Sequence, residues 1–255
     1  MAEAKFEGHL FWYGSLQTAD LVVLSLARTV ASRCPYNTLM PPVAGGTQTA
    51  SDEGWRPMSD SNIIFLNGAS SSGKTTLGRT LQQCLGTPYF YISSDQLVAA
   101  NILPWVDRNA PDGERSWRVI RPRFFDGFHR CIAGLAGAGN FLIVEHVLEV
   151  QSWLDDCVRL LAPFDVFFVG VHCPIEELER RERERGDREI GEGRSHLLDG
   201  VHTWGEYDFE VDTFARSAIE NAALIKNALA TRQLPGAFRH MYMRGGELLL
   251  RKSHR

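Results

Sequence analysis

The run Gly68-Ala69-Ser70-Ser71-Ser72-Gly73-Lys74-Thr75 constrains this 255-residue chain more than any other feature. It reads G-x-x-x-x-G-K-T and lies between an apolar stretch, Ile63–Leu66 (IIFL), and a helical pattern over Lys74–Cys84. A strand that turns through such a loop into a helix is the context in which that spacing acquires chemical meaning. Glycines at both ends let the backbone curl until successive N–H groups face one anion. The helix N-terminus adds a favourable dipole for the same charge. Lys74 can reach β- and γ-phosphates, and the Thr75 hydroxyl is a Mg²⁺ ligand. Gly68 to Thr75, with Thr76 beside them, are thus the candidate nucleotide-binding residues, and the expected ligand is a nucleoside triphosphate with Mg²⁺.

The pattern around the loop alternates. Tyr89–Ile92 (YFYI), Phe141–Val144 (FLIV), Asp165–Val171 (DVFFVGV) and Phe209–Val211 read as further strands. Helices are expected over about 95–100, 124–138, 152–161, 174–185 and 217–230, with 101–117 irregular. Near-continuous apolar strands alternating with helices predict one α/β domain, a parallel sheet covered on both faces. Residues 1–57 read differently. Leu21–Ala27 is a short apolar run, followed by a Pro/Gly/Ser/Thr-rich stretch without periodicity, so this part is expected to be a linker or disordered extension. The folded domain is expected over 58–255, opening near Met58.

Composition removes other classes. With 27 Lys+Arg against 31 Asp+Glu and a net charge of −4, nothing favours nucleic acid or an anionic membrane surface. No apolar run approaches the roughly 20 residues of a membrane span. The five cysteines are an odd count without a C-x-x-C pair, which fits neither a disulfide framework nor a zinc site. Cys84, Cys131 and Cys157 sit among apolar helical residues and are expected to be buried thiols in a reducing, cytoplasmic compartment.

The rest of the chain selects among nucleotide-binding classes. No N-K-x-D-like element reads guanine, and the third strand runs into Val144-Glu145-His146 rather than Asp-Glu. A small-molecule kinase remains. Asp95 follows the second strand, and both strand ends open on the carboxyl edge where ligands of parallel sheets bind. It can accept the proton of an attacking hydroxyl, or merely complement a helix dipole. Glu145 at the same edge is a candidate for the metal or the acceptor, whereas His146 is expected to face the other way, as a half-buried structural histidine at least as readily as a functional one. In EELERRERERGDR, pairs such as Glu176–Arg180 and Glu179–Arg183 describe a solvated helix. Yet Arg181, Arg185 and Arg188 fall on one face that runs into a glycine-rich stretch, which describes a lid closing on phosphates over about 181–203. Among the aromatics near the acceptor side, Phe128 reads as core, while Trp105, Trp117, Phe124 and Phe125 are candidate pocket walls. Asp212 and Thr213 read as capping residues, and His202 as a weak candidate in the lid return.

The segments IIFLNGASSSGKTT, ISSDQL, FLIVEHVL, FVGVHCPIEELERRERERGDR and HTWGEYDFEVDT, in that order, resemble the chloramphenicol phosphotransferase-like family over roughly 62–229. The resemblance implies a P-loop kinase-like three-layer α/β/α fold with strand order 2-3-1-4-5. It also implies ATP-dependent phosphorylation of a hydroxyl, in the founding activity the primary 3-hydroxyl of chloramphenicol. The family's general base lands on Asp95, and its lid arginines land on Arg185 and Arg188, with Arg181 also matching. The family's third strand usually ends in Asp, where this chain has Glu145, one methylene longer. Residues 101–123, which shape the acceptor pocket, match least. The expectation is therefore an ATP- and Mg²⁺-dependent O-phosphotransferase acting on a small-molecule hydroxyl, with homo-oligomerisation left open. Phosphorylation of a nucleotide sugar and non-catalytic ATP binding are the alternatives.

Overall fold

The structure, a computed structural model, describes residues 62–105, 116–186 and 189–253, with side chains through Gly245. The expected extension 1–57 with Leu21–Ala27 and Cys34, the Met58 start, residues 106–115 and Arg188 lie outside the described residues.

Five strands, β1 (Asn62–Asn67), β2 (Tyr89–Ser93), β3 (Phe141–His146), β4 (Asp165–His172) and β5 (Phe209–Asp212), form one sheet. Its order is β2-β3-β1-β4-β5, and every pairing is parallel. The side-chain period of two divides β1 between two cores. Ile63 and Phe65 join Phe128, Leu142, Val144, Phe168 and Phe238 on one face. Ile64 and Leu66 join Leu77, Leu81, Ile143, Phe167, Val169 and Ile225 on the other. Burial on both faces explains why these strands read as apolar runs rather than alternating patterns.

The helices are α1 (Lys74–Cys84), α2 (Ser94–Ala99), α3 (Trp117–Gly137), α4 (Gln151–Leu161), α5 (Ile175–Arg185), α6 (Glu192–Leu198), α7 (Ala218–Thr231) and α8 (Ala237–Ser253). The α1 bounds match the expectation. By contrast α3 begins at Trp117 and carries Pro122 inside it, seven residues before the expected start. Proline removes one helical N–H, but the apolar stripe of Phe128, Ile132 and Ala136 anchors the helix against the sheet. Neither α6 nor α8 is anticipated by periodicity; Ala237 and Phe238 of α8 close the first core.

Two of the three thiol expectations are corrected. Cys157 is buried, and desolvation pushes its thiol pKa well up. Cys84 and Cys131 are exposed. Cys84 is the last residue of α1, past the buried Leu81, and Cys131 falls off the stripe that α3 buries. An apolar neighbourhood in sequence is not a face of a helix.

Candidate active site

The loop after β1 is shaped by close backbone approach. A Cβ on Gly68 would lie 2.4 Å from the carbonyl oxygen of Val171 on β4, so only glycine fits. Gly73 takes φ 88° and Ser71 φ 61°, the left-handed region that turns backbone amides inward. Lys74 is buried; its Nζ donates to the Ala69 carbonyl at 2.6 Å, which stretches the side chain along the loop it serves. The Ser71 hydroxyl is buried without a hydrogen-bond partner. A nest of this shape, with an ammonium beside it and an orphaned hydroxyl in it, fits a nucleotide's phosphates.

Distant elements brace the loop. The Thr213 hydroxyl donates to the Ser72 carbonyl at 2.6 Å and accepts from the Arg181 guanidinium at 3.2 Å. Arg181 also donates to the Thr213 carbonyl at 3.0 Å and pairs with Glu177 at 2.7 Å. Thr213 is thus a strut under the loop, not the helix cap expected of it; Ser217 caps α7 through a Ser–Glu box with Glu220. Asp212 does cap, but the turn at Phe214 and Ala215 rather than the helix. The Asn67 side chain joins Val201 and Tyr207 at 2.7 Å each and Leu148 at 2.8 Å. Tyr207 in turn holds His202 at 2.7 Å, a part-buried contact away from the cleft; desolvation pushes that imidazole pKa down to about 4.

One cleft of about 1100 Å³ opens at the carboxyl edge of the sheet. Ser70, Ser71, Gly73, Lys74, Thr75 and Thr76 line it, together with Asp95, Glu145, Arg181 and Arg185. Gly68, Ala69 and Ser72 lie behind this surface and form the loop's back. Asp95 is in the first turn of α2, whose N-terminus is already closed by a capping box between Ser93 and Gln96. The register places Ser93 beside Glu145 across the β2–β3 pair. Thr75 donates to Glu145 at 3.0 Å, bringing both candidate metal residues together, and the Tyr91 phenol donates to the other Glu145 oxygen. Hydroxyl and carboxylate oxygens are what Mg²⁺ prefers. Among the described residues no group of three or more His, Cys, Asp or Glu could hold a metal, so the nucleotide and water would supply most ligands.

The lid sequence is less solvated than its charge implied. Glu182 is fully buried and accepts from the backbone of Gly191 and Gly193 at 2.7 Å each, holding the N-terminus of α6. Its ion pairs also differ from the expected ones: Arg180 pairs with Glu177 and Glu184, and Glu179 pairs with Arg194 of α6. Glu177, bonded by Arg180 and Arg181, has its pKa pulled down to about 2.

Of the aromatics, Trp117, Phe124 and Phe125 line the cleft, Phe128 is core, and Trp105 is 68% exposed outside it. His146, next to Glu145, also borders the cleft, yet it is only 2% exposed. Its Nδ1 accepts from the Val147 N–H at 2.8 Å, so its Nε2 donates to His129 Nε2 at 2.9 Å. Burial pushes the pKa of His146 well down and that of His129 to about 4. Arg121 pairs with Glu149 in the same wall and stacks 4.6 Å from the Trp153 ring. Tyr91, Arg121, Glu149 and His196 were missed from sequence; only the aromatic run around 117–125 pointed toward this wall.

The family profile described as "Chloramphenicol phosphotransferase-like protein" matches residues 61–230. A Mycobacterium tuberculosis protein named "Putative O-phosphotransferase Rv2636" is 31% identical over 205 residues, 73% of this chain and 90% of that protein. Among solved structures, the Mycobacterium tuberculosis APS kinase CysC in complex with AMPPNP and APS is similar in fold, with TM-score 0.50 and 16% identity over 68% of this chain and 99% of that one. The relatives support a phosphotransferase, and the shared fold is that of P-loop kinases. The chain belongs to the chloramphenicol phosphotransferase-like family.

Proposed function

We propose that this protein transfers the γ-phosphoryl group of ATP, with Mg²⁺, to a hydroxyl of a small molecule. The observation that carries the reading is the convergence of Asp95, Lys74, Thr75, Glu145 and Arg185 on one cleft. The phosphate loop binds and orients the triphosphate. Asp95 accepts the proton of the acceptor hydroxyl while its oxygen attacks the γ-phosphorus, and the bond to the β,γ-bridging oxygen breaks to release ADP. Lys74 and the lid arginines, Arg185 and Arg188, offset the charge on the transferring group. Thr75 and Glu145 would hold Mg²⁺, which would supply positive charge to offset that of the triphosphate. Arg181 joins the loop to Thr213 and keeps the nest in shape. Trp117, Phe124 and Phe125 offer an apolar wall to the acceptor, for which chloramphenicol is the first candidate.

The test is ADP release from Mg-ATP with and without chloramphenicol, with mass spectrometry for an adduct about 80 Da heavier. A phosphorylated product supports both the activity and the acceptor. ADP release stimulated by a different alcohol keeps the kinase reading and replaces the acceptor. Nucleotide binding with no turnover on any alcohol would overturn the reading in favour of a regulator.

A further inference from the structure

We propose that Tyr91 is a positioning residue for the metal: its phenol pins the Glu145 carboxylate so that Thr75 and Glu145 meet the divalent cation as a preformed pair. The proposal rests on the reading that the nucleotide enters with Mg²⁺.

Tyr91 lies on β2 opposite Ile143, two pairs back from Glu145, so both side chains leave the same face of the sheet. The phenol donates to Glu145 Oε2, while Oε1 accepts from Thr75 at 3.0 Å. Each carboxylate oxygen therefore has its own partner, which fixes the plane of the group. Glutamate has one more rotatable bond than aspartate, and an unpinned Glu145 would lose that freedom on every metal-binding event. Tyr91 removes the freedom beforehand.

The ring position is itself specified. Gly78 interrupts α1, where glycine is a poor helix residue, and a Cβ there would lie 2.5 Å from Tyr91 Cε2. The glycine is the space the ring occupies. The Arg79 guanidinium sits over the Tyr91 ring, 4.0 Å from its centroid. Partners that orient a metal ligand commonly carry a 10–100-fold share of metal affinity.

The experiment is binding of a non-hydrolysable ATP analogue, titrated with Mg²⁺ and repeated in EDTA. In Tyr91→Phe the Mg²⁺ concentration for half-maximal enhancement is expected to rise about tenfold, with affinity in EDTA unchanged. The double variant Tyr91→Phe/Glu145→Gln should show no further loss beyond Glu145→Gln alone. An unchanged Mg²⁺ midpoint in Tyr91→Phe, or a full additional loss in the double variant, overturns the proposal while leaving the nucleotide reading intact. If Tyr91→Phe does not fold, Gly78→Ala, which displaces the ring, should raise the same midpoint. Wild-type binding that ignores Mg²⁺ would overturn the metal reading, and this proposal with it.

Discussion

The backbone N–H of Ser70, in the phosphate loop, donates to Nδ1 of His196 on α6 at 3.1 Å. That contact requires an unprotonated Nδ1. Nε2 faces Glu149 at 3.6 Å, and Glu149 is held by Arg121 in the aromatic wall. One imidazole thus joins α6 to the loop that would hold phosphate and leans on the wall that would hold the acceptor.

His196→Ala is expected to lower nucleotide affinity by roughly 3- to 10-fold, since a neutral hydrogen bond contributes about 1 kcal/mol net. Equilibrium titration with ATP measures it. Tighter binding in the variant would mean that His196 competes with phosphate for the Ser70 amide.

Asp95→Asn should reduce transfer by about 10²–10⁴-fold, the usual share of a general base, with ATP binding kept. Initial rates beside a nucleotide titration separate the two quantities. Unchanged turnover would remove Asp95 from the chemistry.

Lys74→Ala removes a buried ammonium from the loop's inner edge. Hydrogen bonds to charged groups are worth about 1.5–3 kcal/mol, so ATP affinity should fall roughly 10- to 150-fold. An undiminished affinity would contradict the assignment of this loop.

Gly68→Ala sets a Cβ 2.4 Å from a main-chain oxygen of β4, which cannot step aside as a side chain would. Overpacking of this kind costs about 1–3 kcal/mol. A melting temperature several degrees lower is expected, and thermal unfolding monitored by circular dichroism is the check.

Acid should unfold the protein through its buried imidazoles. Burial holds His129 and His202 at about 4 against an ordinary 6.5, and holds His146 well below that ordinary value too. Above pH 6.5 these groups are neutral in both states and contribute no pH dependence. As pH falls from 6.5 toward 4, the unfolded chain takes up protons that the native state refuses, so stability is lost across that window. His129 alone accounts for on the order of 3 kcal/mol. Denaturant unfolding at pH 7, 6, 5 and 4 measures the slope, and a flat profile from 6.5 to 5 would show that the pair titrates freely.

Much of the frame was legible because it is local. The helix from Lys74 to Cys84 follows from a glycine-rich turn and a run of helix-compatible residues, and the five strands follow from short apolar runs. The sheet order came from the family resemblance rather than from periodicity. Where neighbours in sequence were used to infer burial, inference failed at Cys84 and Cys131, because burial depends on which face of a helix meets the sheet. In α5, charge density hid Glu182, which is buried because it has backbone amides at the start of α6 to satisfy it. The helix α8 went unread although Phe238 and Met241 both pack against the core.

A strand, an anion-binding loop and a helix, with a set of carboxyl-edge candidates, can be read from the residues alone, since spacing of a few residues is enough for a turn to cradle an anion. The partners that orient those candidates arrive through the packing of distant elements. Tyr91 and Glu145 are 54 residues apart, and Ser70 and His196 are 126 apart. Parallel strands joined by helical crossovers bring such residues side by side at one sheet edge, and no local pattern encodes which distant side chain will arrive there.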